Sequence, residues 1–364
     1  MSWLVASMGA PGLAGTMAAA EVSRGHMELS PSPIAAAFGL GAPTGPLVAI
    51  TGGPSAVHRS WRLSTRRGRF AVKALSRDQH AHGVEALEGP VRLELAALAA
   101  GVPMPRPCLV PGIGASVAAV SAPGPHPVLV RVHEWVDGST PTAPVSTGLA
   151  GELGGALAAI HRVGWGCDEG AEVDRWYRAA HGVGHWRGLA GRAERSGRGW
   201  AGQLRAALPL LVEVEALVAA RAAEIVPLVV THSDLVPGNV LVSVQGRPWI
   251  VDWDDAGPWN AAEEVAAAVV SWSSGLQGEP RGRVALALVE GYRRAGGVLD
   301  CGSPTVLAGS LSAVANWLEL NVRRSLSEAA NQPFRWQAEA EVVGALTELP
   351  RRLARLDRWM ELLG

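Results

Sequence analysis

Along the first 140 residues apolar and polar positions alternate in short runs, and beyond them apolar residues recur every three or four positions. Alternation has the period of a strand and the longer interval that of a helix, so a β-rich segment is predicted ahead of a mainly helical one. Strands are expected at 47–51, 57–65 and 69–75, forming a small antiparallel sheet with turns at Gly52-Gly53 and Arg66-Arg67-Gly68. Leu87, Val91, Leu95 and Leu98 predict a helix that stops at Gly101, ahead of Pro103 and Pro105. Glu94 falls on that apolar face, where an unpaired carboxylate is costly to bury. Residues 127–137 read as a further strand running into Gly138. Leu149, Leu153, Leu157 and Ile160 share one helical stripe, followed by His161, which is expected to serve structure rather than a ligand.

The densest polar chemistry sits in a strand-rich stretch over 228–260. Apolar 228–230 reads as a buried strand delivering 231–239 as a loop, which Pro237 and Gly238 keep from becoming a helix. Residues 240–244 and 248–251 form a hairpin around Gln245-Gly246-Arg247. Because paired strands lie about 5 Å apart, Asn239 entering the hairpin and Asp252 leaving it are expected side by side. An amide and a carboxylate there suit Mg²⁺, which takes oxygen donors and keeps several waters. Asp234, facing the same space as Asn239, offers a carboxylate that can take the proton of an acceptor hydroxyl. These are the parts of phosphoryl transfer, with Asp234 as base and Asn239 and Asp252 as metal ligands.

The spacing His232-x-Asp234-Leu235-x-x-x-Asn239 matches the kinase catalytic loop, with Ser233 in place of the usual arginine, and Asp252-Trp253-Asp254 stands where kinases carry Asp-Phe-Gly. On these residues the chain resembles the aminoglycoside phosphotransferase and choline kinase-like family, whose loop usually reads His-Gly-Asp. Ser233 departs from that glycine and leaves the ligands in place. The resemblance covers nearly the whole ordered chain. It implies an α+β, protein-kinase-like two-lobed fold with a small antiparallel β-rich N-lobe and a larger, mainly helical C-lobe, and it implies ATP or GTP with Mg²⁺ as donor.

Gly52, Gly53 and Ser55, in the turn before Lys73, would bring backbone N–H groups to the phosphates. Lys73 is the only lysine among 32 basic side chains. It sits on the strand where kinases place a phosphate-contacting lysine, a role for a compact ammonium rather than a forked guanidinium. Its partner would be Glu94, or Glu88 with the helix shifted in phase. Residues 133–138 (HEWVDG) resemble the family's hinge, where adenine meets backbone groups, here the carbonyl of Glu134 and the N–H of Val136. Glu264, in the first turn of a helix expected over 262–272, takes the place of an aspartate that braces the family's catalytic loop. Trp165, Trp176, Trp186 and Trp200 occupy a region that in the family helps wall the acceptor site, although helix packing is the plainer role for each. Glu319 is a further candidate to face the acceptor.

At 364 residues and 48% hydrophobic content the chain is long enough for two lobes with ample core. The expected division is a flexible leader at 1–39, a nucleotide-binding lobe with hinge at 40–138, and a helical lobe at 139–364 carrying the catalytic loop and acceptor site. Residues 1–20 carry no charge but lack a basic n-region and are broken by Gly9, Pro11, Gly12 and Gly15, which argues against a signal peptide or membrane span. Met27 is an alternative start. A formal net charge of −1 points to neither nucleic acid nor a membrane surface. Three well-separated cysteines, with no C-x-x-C pair, fit a reducing cytosol, so a cytoplasmic location is expected.

Residues 139–364 hold 21 basic and 25 acidic side chains, which leans toward a cationic acceptor. An aminoglycoside-like antibiotic, an amino alcohol and a sugar metabolite all stay open. The absence of a kinase-type Ala-Pro-Glu segment after Asp252 favours a small hydroxylated molecule over a protein. The alternative is a kinase-like fold that binds a ligand or partner without turnover. Intact Asp234, Asn239, Asp252 and Lys73 favour the enzyme, and a transfer assay separates the two.

Overall fold

A computed structural model of the chain describes residues 29–50, 60–75, 88–123, 126–167, 171–178, 181–275, 277–327 and 332–364. Gly52, Gly53, Ser55, Met27 and the side chain of Glu88 lie outside the described residues. The chain folds as two compact units, an antiparallel-sheet lobe and a larger helical lobe, in a protein-kinase-like two-lobed fold. The first comprises the described residues up to Ser139 together with Leu241–Asp254, and the second Thr140–Val240 and Asp255–Gly364.

In the first unit a short helix α1 (Pro31–Ala37) precedes β1 (Val48–Ala49), β2 (Ser60–Thr65), β3 (Gly68–Ala74), helix α2 (Glu88–Ala99), β4 (Ala118–Val120) and β5 (Val128–Glu134). The sheet order is β1-β2-β3-β5-β4, antiparallel throughout. Alternation works as expected on β2, where Trp61, Leu63 and Thr65 turn inward. Leu63, Val72, Val130 and Val132 are fully or almost fully buried, each contributing about 1.5–3 kcal/mol of hydrophobic stabilisation. Register places Lys73 of β3 beside Ser60 of β2 and Arg131 of β5.

Two expectations for this unit need correction. The leader expected to be flexible through residue 39 already holds α1, whose Ile34 is buried with Phe38 and Leu40 in the sheet's core. Pro31 starts that helix, where a missing N–H costs nothing, and the 34–38 spacing supplies an apolar anchor. Thr65 Oγ1 then ties the segment down by donating to the Leu40 carbonyl at 2.7 Å. In α2 the buried face is Leu93, Glu94 and Ala97, while Leu95 is exposed. Glu94 points inward as expected, but the helix is rotated from the predicted stripe because partners for that carboxylate wait beneath it. Gly101 ends the helix region in the left-handed conformation, φ 82°.

The second unit opens with α3 (Thr147–Val163), N-capped by Ser146. Helices α4 (Arg175–Arg178), α5 (Val183–Arg195), α6 (Ala201–Ala206) and α7 (Leu208–Ala222) lead to strand β6 (Val229–Thr231) and the loop 232–239. The hairpin β7 (Val240–Val242) and β8 (Pro248–Ile250) turns at Gly246, φ 83°. From Leu241 onward it packs with the first unit, Val242 N–H bonding to the Ser139 carbonyl and Ile250 N–H to that of Pro103. Strand β9 (Gly257–Trp259) pairs antiparallel with β6. The chain ends in α8 (Ala261–Ser273), α9 (Gly282–Arg294), α10 (Ala308–Leu326), α11 (Gln332–Leu353) and α12 (Leu356–Leu363).

Trp186 and Trp200 lie in this unit's core with Leu204, Leu211, Leu311, Leu318 and Leu349, so helix packing is what the structure shows for them. Helices α3 and α9 cross with backbones touching. A Cβ on Gly154 would sit 2.1 Å from the Leu288 carbonyl oxygen, and one on Gly291 2.2 Å from that of Gly151. No described helix is long and apolar enough to cross a membrane.

Candidate active site

The loop after β6 has to place Asp234 against the backbone's own preferences. Ser233 stands at φ 66°, a left-handed conformation that costs a side-chain-bearing residue about 1–2 kcal/mol. Glu264, in the first turn of α8, holds it there. One of its carboxylate oxygens accepts the Ser233 N–H at 2.7 Å, and the other accepts the Thr231 hydroxyl and His161 Nε2, the latter at 2.6 Å. His161 is in turn fixed through Nδ1 to the Tyr292 hydroxyl at 2.9 Å. Burial opposes charge on Glu264, but the bonds from His161 and Thr231 outweigh it and hold the carboxyl below the usual glutamate range. The brace expected of Glu264 is therefore present, with His161 as its structural partner.

Asp234 is buried, 4% exposed. Asn239 Nδ2 donates to its carboxylate Oδ2 at 2.7 Å and to its backbone carbonyl at 2.9 Å. With both amide hydrogens directed at Asp234, Asn239 is left with Oδ1, an oxygen with no hydrogen-bond partner among the described residues. Trp272 Nε1 pins the next residue by donating to the Leu235 carbonyl at 2.8 Å. Tyr177, stacked on Trp259 with ring centroids 4.2 Å apart, reports the local field. Burial first, and then the negative charges of Asp234, Asp255 and Glu264, push its phenol well above the usual tyrosine range.

In the first unit a second cluster centres on Asp254, whose side chain is 3% exposed. Lys73 Nζ donates to Asp252 Oδ1 and lies 2.8 Å from Asp254 Oδ2, a charge contact rather than a well-aligned hydrogen bond. Arg131 spans the other side, donating from Nη1 to Asp254 and from Nη2 to Glu94. Glu94 completes the chain with His133 Nε2 at 2.7 Å. Burial opposes the charges of Lys73, Glu94, Arg131 and Asp254. On Asp254 it is outweighed by Lys73 and Arg131, which hold the carboxyl below the usual range, and on Glu94 by His133 and Arg131. On Lys73 it is outweighed by Asp252 and Asp254, which raise the ammonium. Asp252 itself sits at φ 68°, a region that Asp tolerates better than most residues.

Of the residues expected in the site, Asp234 and Asn239 are directly bonded, and Lys73 is bonded to Asp252. The expected pair of Lys73 with Glu94 is not formed. Arg131, the cross-strand neighbour of Lys73, takes Glu94 instead, because its longer fork reaches Glu94 and Asp254 together. Arg131, His133, Asp254 and Thr231 were not singled out from the sequence. A charged residue inside the apolar run Val128-Leu129-Val130-Arg131-Val132 was the available signal. Glu319 bonds to His185 at 3.1 Å and to Arg323.

At the hinge, Glu134 N–H bonds to the Arg106 carbonyl at 2.9 Å, and Trp135 N–H to that of Arg69 at 3.0 Å. N–H and C=O of one strand residue point the same way and alternate between edges. The Glu134 carbonyl therefore faces the edge away from β3, and Val136 lies two residues beyond the end of the strand. Asn239 Oδ1 and the Asp252 carboxylate, immediately before β7 and two residues after β8, are hard oxygen donors of the kind Mg²⁺ takes.

A family profile described as phosphotransferase enzyme family matches residues 49–298. No curated protein matches the chain. Among solved structures, a microcompartment-associated aminopropanol kinase is similar at 18% identity and TM-score 0.56, covering 86% of this chain and 94% of that one. A spectinomycin phosphotransferase in complex with ADP and spectinomycin is similar at 14% identity and TM-score 0.57, covering 85% and 94%. An amicoumacin kinase in complex with AMP-PNP and Ca²⁺ is similar at 15% identity and TM-score 0.56, covering 84% and 88%. At such identities the likeness is one of fold.

Proposed function

Because the chain belongs to the phosphotransferase enzyme family, we propose that it transfers the γ-phosphoryl group of ATP, bound with Mg²⁺, to a hydroxyl of a small cationic molecule, with Asp234 as the base. The observation that carries this reading is the Asn239 side chain, whose amide hydrogens both orient Asp234 while its oxygen is left for a cation. When bound, MgATP supplies the activated phosphoryl group and the counter-charge that steadies it.

Asp234, held by Asn239 and by the Glu264 brace, accepts the proton of the acceptor hydroxyl. Asn239 Oδ1 and the Asp252 carboxylate would each supply a ligand to the metal. Lys73, which neutralises Asp252 and Asp254 in this structure, serves the phosphates, with Gly52, Gly53 and Ser55 supplying backbone donors. Glu94 acts at one remove, by anchoring Arg131. The Glu134 carbonyl and Val136 N–H receive the adenine edge.

An acidic excess in residues 139–364 supports a cationic acceptor such as an aminoglycoside-like antibiotic or an amino alcohol. A cytoplasmic location, where ATP and Mg²⁺ are at hand, agrees with three free cysteines. The test is incubation of the purified protein with MgATP and a panel of aminoglycosides, amino alcohols, macrolides and neutral sugars, read by mass spectrometry. One class of amine-bearing compound should gain a single phosphoryl group. Phosphorylation confined to neutral sugars would overturn the cationic assignment.

A further inference from the structure

Away from the phosphoryl-transfer residues, the second unit brings together three side chains with metal-ligating atoms, His181, His185 and Glu319, whose ligand atoms all lie within 4.8 Å of one another. We propose that they form a second metal site, for a borderline divalent transition ion such as Zn²⁺ rather than for Mg²⁺. Two imidazole nitrogens and one carboxylate are the donor set that Zn²⁺, Co²⁺ and Ni²⁺ accept and that Mg²⁺ does not.

The geometry is built from both sides. His181 and His185 flank the start of α5, four residues apart, with rings stacked at 5.0 Å between centroids. Glu215 fixes that turn, its Oε1 accepting the His181 N–H at 3.0 Å, the Gly182 N–H at 2.8 Å and Trp186 Nε1 at 2.9 Å. Glu319 projects from α10, with Oε1 3.1 Å from His185 Nε2. Two ligands on a tetrahedral ion with bonds of about 2.0–2.1 Å are about 3.3 Å apart, so this pair already has the span of one edge.

The tautomer of His181 is settled by its neighbour. Asn316 Nδ2 donates to the carbonyls of Trp176 at 2.9 Å and Ser312 at 3.0 Å, so its Oδ1 faces His181 Nε2 at 2.7 Å as an acceptor. Nε2 therefore carries the proton and Nδ1 keeps its lone pair, with no hydrogen-bond partner among the described residues. A histidine whose far nitrogen donates to a fixed carbonyl is the outer arrangement found around metal-bound imidazoles. Closing onto the ion, Glu319 gives up Arg323, an exposed partner one turn along α10. The ion would tie α5 to α10, with its fourth position left to water.

Titration of the tag-free, chelator-treated protein with Co²⁺ and competition by Zn²⁺ tests this. One saturable equivalent with a tetrahedral d–d spectrum is expected, undisturbed by excess Mg²⁺. His181→Ala, His185→Ala and Glu319→Gln should each weaken binding at least about tenfold, since loss of outer partners alone costs 10–100-fold. Melting curves recorded with chelator show whether each variant is folded, and any one that folds decides the matter. Absence of saturable binding, or binding kept in the variants that fold, would overturn the proposal.

Discussion

Glu264→Ala removes the common acceptor of three buried donors, the Ser233 N–H, the Thr231 hydroxyl and His161 Nε2. Each donor left unpaired costs about 1–3 kcal/mol, and because all three share one carboxylate their losses overlap. We expect about 4 kcal/mol for Glu264→Ala and about 2 kcal/mol for Glu264→Gln, which keeps one acceptor oxygen, out of a total stability on the order of 5–15 kcal/mol. The Ser233 bond carries extra weight, since it holds a residue at φ 66° that would otherwise relax and take Asp234 with it. Turnover should therefore fall along with stability.

The pH dependence has a definite sign. Glu264 is held below the usual carboxylate range in the folded protein, so its contribution is present above the unfolded pKa and is lost as pH falls through the lower folded value. Urea unfolding of wild type and Glu264→Gln should differ most at about pH 7 and converge as the pH drops below about 4. A cost for Glu264→Ala below about 1 kcal/mol, or a gap that widens in acid, would refute the brace.

Three further outcomes follow from the same contacts. An acyl-phosphate ATP analogue should label one internal lysine, Lys73, with the label suppressed by excess ATP; Lys73→Arg should abolish it and lower kcat/KM, and labelling indifferent to ATP would remove Lys73 from the site. Ser233→Gly relieves about 1–2 kcal/mol of left-handed strain against about 0.5–1 kcal/mol of added chain entropy, so thermal unfolding should show a gain of about 0.5–1 kcal/mol, and a loss of that size would contradict it. Arg131→Met takes the guanidinium from two buried carboxylates, leaving Glu94 with His133 and Asp254 with Lys73, and denaturant unfolding should register a cost of about 3–5 kcal/mol; a loss under about 1 kcal/mol would mean that those remaining partners suffice.

The catalytic loop was legible because its elements are local. The hairpin turn at Gly246 and the strand leading into the loop are written in neighbouring residues, and the structure has them within a residue of where expected, although Pro237–Asn239 closes as a single 3-10 turn in the stretch that Pro237 and Gly238 were expected to keep from helix. The ion pairing of the sheet lobe was not legible, since it depends on register across strands far apart in sequence. Nothing local says that Lys73 of β3 stands beside Arg131 of β5, or that a guanidinium there intercepts Glu94. The phase of α2 was missed for a related reason, because periodicity counts apolar positions and cannot weigh a buried carboxylate whose partners come from β5. Helix α1 was hidden by its Ala- and Pro-rich composition, which reads as a leader until Ile34 and Phe38 are seen to have a sheet to pack on.

The claim on which the account turns is that Asp234 takes the proton while other residues bind the nucleotide. Asp234→Asn keeps the shape of the side chain and removes its basicity, so steady-state turnover with an accepted substrate, measured beside MgATP affinity, tests it directly. Turnover should fall by roughly 10²–10⁴-fold while the dissociation constant for MgATP stays within a few-fold of wild type. A variant that keeps turnover within a few-fold of wild type would contradict the assignment of Asp234 as base.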